Sequence, residues 1–256
     1  MSITDRSKHS RLDCSTPAPG SEGVPITDLA VEHKINIFLN EVLAMQVTCS
    51  PAYLDELTIG RLFTEGLLRK TSDILSLSIC EQGLNARVLL CPEAAAMLSP
   101  KKVLSVESCC TDSRNLLSVE ETFPQIAPIR WKKEWLETMF DRMWNGEPLF
   151  LNTHSVHACY LGRQGEILCC REDIGRHNAL DKVIGYALLN EIPLTECYLF
   201  TTGRMPEDIV RKAVRAGIPL LASRTYPTDK GLALARREGL TLITVKQGGT
   251  LMNWTE

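Results

Sequence analysis

Two rhythms of apolar and polar residues alternate along this chain. Period-two alternation over 34–38, a break at Asn40-Glu41 and renewed alternation over 42–48 predict a hairpin. Ser50-Pro51 then opens a helix, with Ser50 as cap and Pro51 at the first position. That helix turns Leu54, Leu57 and Leu62 inward and ends at Glu65-Gly66. Alternation over 74–80 and 86–90 predicts two further strands, so the first portion reads as a small α+β roll.

Beyond residue 130 the helical rhythm dominates. Leu136, Met139, Phe140 and Met143 mark an amphipathic helix ended by Asn145-Gly146, and Trp131, Trp135 and Trp144 read as core and boundary packing. A hairpin follows over 156–161 and 166–171. His157 on its first strand reads as a half-buried, satisfied histidine. In the stretch 172–185, Leu180, Val183 and Ile184, continued by Ala187 and Leu188, give a helix with one buried stripe. Just before that stripe, Glu172, Asp173, Arg176, His177 and Asn178 crowd around Gly175 in a strand-to-helix loop, where backbone N–H groups favour anions. Such a cluster has no packing use and reads as a ligand-binding corner.

The remainder repeats strand and helix. A strand at 197–201 leads to a helix from Pro206 that buries Ile209, Val210, Ala213 and Val214 and stops at Gly217. A strand at 219–222, a helix capped by Thr228 and ended by Gly239, and a strand at 240–245 complete it. Helical crossovers imply parallel strands whose loops share one edge. That edge collects Asp173, Arg176 and His177; Thr202, Gly203 and Arg204; Ser223, Arg224 and Thr225; and Lys246, Gln247, Gly248 and Gly249. Basic residues, hydroxyls and glycines together suit a phosphate-bearing ligand.

Composition narrows the class. With 44% apolar residues in 256, a net charge of -3 and a pI near 6.0, the chain is globular and lacks the basic face of a general nucleic-acid or membrane-surface binder. No run is long enough to span a bilayer and no signal segment opens the chain, so a cytoplasmic location is expected. Ten cysteines show no disulfide framework and no Cys-x-x-Cys, so no metal site is expected. Most read as buried small hydrophobes. The exception is Cys109-Cys110, set in a polar run over 103–117 that reads as an exposed, mobile loop flanked by Lys101, Lys102 and Arg114. Nearby cations raise the thiolate fraction, which makes a nucleophilic thiol the preferred reading. The expected organisation is a disordered lead-in at 1–27, an N-terminal α+β domain at 28–117, a linker at 118–130 holding Pro124 and Pro128, and a C-terminal α/β domain at 131–256.

The stretch EDIGRHNALDKVIG at 172–185 resembles the signature of the formate dehydrogenase accessory (FdhD) family. Thr202-Gly203-Arg204, the run KAVRAGIP at 212–219 and Pro227-Thr228 are similar to its later motifs, over a match from about Glu32 onward. The resemblance implies a three-layer α/β/α C-terminal domain similar to the cytidine deaminase fold. It implies a sulfurtransferase that takes sulfur from a cysteine desulfurase as a cysteine persulfide. The acceptor is the molybdenum bis(molybdopterin guanine dinucleotide) of formate dehydrogenase, with guanine nucleotide as a partial mimic and a homodimer as the assembly. A non-catalytic carrier delivering the nucleotide-bearing cofactor is the alternative. The family pattern Ser-Cys-Gly-x-Cys-Gly stands here as Ser108-Cys109-Cys110-Thr111-Asp112, so that Cys109 matches the first family cysteine, Asp112 takes the place of the second, both glycines are missing and Cys110 is left as the substitute thiol. The family's cofactor-binding C-terminal loop maps onto Val245, Lys246, Gln247, Gly248, Gly249 and Thr250, the last in place of an arginine. Asp173, Arg176, His177, Gly203, Arg204 and Ser223 complete the expected cofactor-binding set.

Overall fold

The computed structural model describes residues 29–96, 104–106 and 123–256, the middle segment by its backbone alone. The first of two sheets holds β1 (His33–Leu39), β2 (Val42–Cys49), β3 (Ile74–Ile79), β4 (Asn85–Leu90) and β5 (Leu104–Val106), in spatial order β3-β4-β1-β2-β5. Its inner face buries Ile35, Ile37, Met45, Val47 and Val88 against Leu54, Leu57 and Leu62 of α1 (Leu54–Thr64). The outer face carries polar side chains, with Asn36 bonded to Asn85 (3.1 Å) and to Gln46 (2.8 Å) across three strands. One face is therefore covered by a helix, and the other sets these polar residues beside exposed apolar ones such as Leu89.

Two local expectations change here. Ser50 does not cap α1, which starts at Leu54 behind Tyr53 in the left-handed region (φ 57°). The Ser50 hydroxyl instead accepts the N–H of Ile174 (3.1 Å) in the second body. Within the expected loop at 103–117, Leu104–Val106 is a strand parallel to β2, with Val106 opposite Val47. Pairing to an open sheet edge supplies the hydrogen bonds that three residues of sequence cannot advertise. The rest of that segment, including Cys109 and Cys110, lies outside the described residues.

The second sheet comprises β6 (His157–Arg163), β7 (Glu166–Asp173), β8 (Tyr198–Thr201), β9 (Leu220–Ser223), β10 (Thr241–Val245) and β11 (Leu251–Asn253), in order β11-β10-β9-β8-β6-β7. On one face α5 (Arg176–Leu189), α6 (Glu207–Arg215) and α7 (Asp229–Glu238) enclose a core of Val183, Ile184, Val210, Ala213, Leu221 and Leu242. On the other, α3 (Lys133–Asn145) presents Leu136, Met139, Phe140 and Met143 to Tyr160, Phe200 and Ile243. This is the three-layer α/β/α domain anticipated. Two short helices, α2 (Pro92–Ala96) after β4 and α4 (Pro148–Thr153) before β6, complete the set of α-helices among the described residues. Thr228 caps α7 by accepting the Gly231 N–H (3.2 Å), and Gly239 ends it at φ 78°.

The two bodies meet helix to helix. Where α1 crosses α5, a Cβ added to Gly60 would sit 1.8 Å from the Asp181 carbonyl oxygen, and one added to Gly185 would sit 1.8 Å from that of Glu56. Only glycine permits this approach. Because α1 covers its second side, α5 is buried continuously over residues 178–185 rather than along the single stripe its sequence suggests.

Candidate anion-binding site

The polar cluster at the head of α5 divides into two sets with opposite fates. Asp173, Asn178, Asp181 and Lys182 are buried and serve the junction. Asp173 accepts the Ser50 N–H (2.9 Å), the Gly175 N–H (2.9 Å) and the Asn178 amide (2.9 Å), and pairs with Lys182 at 2.6 Å. Lys182 also donates to the Ser50 carbonyl (3.1 Å). One turn further, Asp181 receives Arg61 (3.0 Å) and Thr64 (2.7 Å) from α1 and Lys212 (3.0 Å) from α6. Beside them Arg171 and Glu56 form a two-pronged pair, with the guanidinium lying 3.9 Å over the Tyr53 ring. These buried charges are paired and hydrogen-bonded, the condition under which burial is tolerated.

The second set faces the strand ends. Strands β8, β9 and β10 are parallel, and β6 is antiparallel to both β7 and β8, so β7 runs with β8. The ends of β7, β8, β9 and β10 and the start of β6 thus share one edge. From β7 to β10 this edge spans four strand steps of about 4.8 Å, roughly 19 Å. Along it stand Arg176, Arg204, Arg224 and Lys246, with His157 and His177. His177 is paired through Nε2 with Asp208 at 2.6 Å.

Hydroxyls beneath the edge build its loops. Ser223 and Thr225 both donate to the Gly203 carbonyl (2.7 and 2.8 Å), and Thr244 donates to the Thr225 carbonyl (2.8 Å). Gly203 lies on the Arg176 stem: an added Cβ would come within 3.0 Å of the Arg176 Cβ. The loop after β10 is a hairpin turn closed by Lys246 N–H to the Thr250 carbonyl (2.9 Å), with Gly248 and Gly249 at φ 82° and 76°. Lys246 Nζ lies 3.9 Å over the Tyr226 ring. A small open cleft lies beside this edge, lined by Phe150, Val156, Tyr160, Thr202 and Arg224 among others.

Of the residues expected to bind cofactor, Arg176, His177, Gly203, Arg204, Lys246, Gln247, Gly248, Gly249 and Thr250 are brought to the edge. Asp173, Ser223 and Val245 are fully buried, the first two with their polar atoms engaged by protein partners. The reading of 172–178 as a cluster without packing use is corrected for Asp173 and Asn178, which hold the two bodies together. His157 was not among the expected ligands, yet it stands on the edge, beside Arg224, which the strand-end reading did collect there. The hairpin expected over 156–161 and 166–171 already sets the start of β6 beside the end of β7, but a lone histidine on a strand reads as a packing residue and not as a ligand.

Described cysteines narrow the search for a sulfur nucleophile. Burial pushes the thiols of Cys49 and Cys169 up to about 12 and that of Cys197 up to about 11, and it raises Cys159 and Cys170 as well. Such thiols stay protonated at neutral pH and are poor nucleophiles. Cys80 is exposed and Cys91 half-buried.

This two-sheet α/β fold recurs in a solved structure from Desulfotalea psychrophila assigned as a formate dehydrogenase accessory protein. The two share 29% identity with a TM-score of 0.71 over 88% of this chain and 86% of the other. The FdhD/NarQ family pattern matches residues 30–256, and the chain belongs to that family. Relatives named sulfur carrier protein FdhD include one from Geobacillus kaustophilus, 31% identical over 86% of this chain and 85% of the relative. Another, from Mycobacterium tuberculosis, is 30% identical over 89% of each.

Proposed function

We propose that this chain is a sulfurtransferase for formate dehydrogenase. It takes sulfur from a cysteine desulfurase as a persulfide on Cys109 and passes it to the molybdenum bis(molybdopterin guanine dinucleotide) cofactor, with a nucleotide end of that cofactor held on the strand-end edge. In the loading step the Cys109 thiolate attacks the outer sulfur of the donor persulfide. A new S–S bond forms as the old one breaks, and the donor leaves as a thiolate. The names of the relatives support the sulfur-transfer part. The raised thiols of Cys49, Cys159, Cys169, Cys170 and Cys197 set those five aside as nucleophiles, which is compatible with one in the 107–117 segment.

The observation that carries the reading is the direction of β5. Val106 pairs with Val47, and three residues beyond Val47 stands Ser50, whose amide and hydroxyl bond Asp173 and Ile174 at the head of α5. Cys109 is likewise three residues beyond Val106, a chain length of at most about 10 Å. That direction supports the reading that a thiol following β5 serves the edge beside α5.

Incubation with a cysteine desulfurase and cysteine, followed by intact-protein mass spectrometry and peptide mapping, tests the reading. One added sulfur on the Cys109 peptide is expected, and Cys109→Ala should abolish both loading and activation of the dehydrogenase. Full loading of Cys109→Ala with loss in Cys110→Ala moves the role to Cys110. Activation by a protein that never gains sulfur replaces the transferase with a carrier of the cofactor.

A further inference from the structure

His157 is a group on the edge with one ring nitrogen left unbonded among the described residues. It opens β6 opposite Asp173 of β7. Its Nδ1 lies 3.3 Å from the Thr202 hydroxyl, whose oxygen also accepts the Ala158 N–H (3.0 Å), so the ring is held from that side. Its Nε2 makes no hydrogen bond to any described residue. Five groups face the ring: Asp173 from β7, Arg176 and His177 from α5, Thr202 from the loop after β8, and Arg224 from the loop after β9. Two of these are already compensated, Asp173 by Lys182 (2.6 Å) and His177 by Asp208 (2.6 Å). The net field at the ring is therefore that of two guanidiniums.

Burial first, then the charges of Arg176 and Arg224, hold the imidazole below its ordinary value. It rests neutral at pH 7. An anion docking on the same guanidiniums reverses that balance, since it cancels their repulsion and attracts the imidazolium directly. We propose that His157 is a phosphate-binding residue of this edge that takes up one proton from solvent as the ligand docks, Nδ1 then donating to Thr202 and Nε2 to the phosphate. The inference rests on the edge being an anion site, and it adds a residue and a linked proton to that site. Its sign is definite: uptake on binding means that affinity rises as pH falls. The second ionisation of a terminal phosphate, near pH ~6, acts in the opposite direction, so a variant lacking the imidazole is the proper reference.

Titration calorimetry of the full-length chain with guanosine diphosphate, at neutral pH in PIPES and in Tris, reads proton uptake from the difference in heat between buffers. The wild type should take up close to one proton, and His157→Gln should bind without this uptake. Loss of a charge-assisted hydrogen bond should leave the variant about tenfold weaker at pH ~6.5 and nearly equal to the wild type at pH ~8.5. His157→Asn serves if the glutamine variant fails to fold. Binding by the wild type without net uptake, or equal uptake by wild type and variant, overturns the inference while leaving the edge as the anion site. No binding at millimolar nucleotide removes both.

Discussion

The α1–α5 seam and the strand-end edge draw on one stretch of sequence and treat charge in opposite ways. At the seam, Asp181, Arg61, Lys212 and Thr64 close on one another, and Asp173 and Lys182 do the same beside Ser50. At the edge, Arg176, Arg204 and Arg224 form no side-chain ion pair among the described residues, and the one exposed carboxylate that pairs there, Asp208, serves His177. Charges that are matched inside the protein hold it together. Charges left unmatched at the ends of strands remain available to a ligand. Residues three to five apart can belong to different systems because β7 delivers Asp173 inward while the first turn of α5 delivers Arg176 and His177 outward.

The comparison predicts that substitutions at the two regions separate stability from binding. The largest effect is expected at Asp181. Asp181→Ala would leave the buried cations Lys212 and Arg61 to share Glu65 (3.0 and 3.2 Å) as their carboxylate, a loss of about 3 kcal/mol. Urea denaturation measures it, and a loss well under 1 kcal/mol would show that the seam is not the structural tie. Arg204→Ala at the edge should do the reverse: no change in the denaturation midpoint, and nucleotide binding weaker by about 1.5 to 3 kcal/mol for a lost hydrogen bond to charge. An Arg204→Ala protein that binds normally but unfolds early would put Arg204 on the wrong side of the division.

How much of this was readable in advance follows the range of each interaction. The Thr228 cap, the Gly239 stop and the buried face of α6 depend on neighbours within a few residues, and each stands where the sequence predicts it. Ser50 carried an equally clear local signature and still misled. Its hydroxyl partner, Ile174, lies in the other body. The continuous burial of α5 depends on α1 in the same way, and β5 depends on an open edge of β2. At the site, the collection of basic residues was legible because helical crossovers imply a shared edge. His157 was not, since a lone histidine on a hairpin strand reads as half-buried packing, and only the neighbouring Arg176 and Arg224 mark it as part of the edge. Cys109 and Cys110 came from loop composition and resemblance, and they lie outside the described residues.

The smallest predicted effect is the most discriminating, because it falls where the two regimes touch. Asp208 is a carboxylate on the edge, paired with His177 as a seam carboxylate would be, but exposed. Partial burial pulls its carboxyl upward, and the hydrogen bond and charge of His177 outweigh that pull and hold it down at about 2. It is therefore ionised throughout the range in which the protein can be assayed, and its charge opposes an arriving anion at every such pH. Exposed pairs contribute only about 0 to 1 kcal/mol, so Asp208→Asn should change the denaturation midpoint little. By releasing His177 and removing a negative charge, it should tighten guanosine diphosphate binding by a factor of about 2 to 5. The gain should shrink as salt is added, since the groups are exposed. If binding weakens instead, the Asp208–His177 pair is orienting His177 for the ligand. The edge would then be ordered by its own internal ion pairing, as the seam is, and not simply left unmatched.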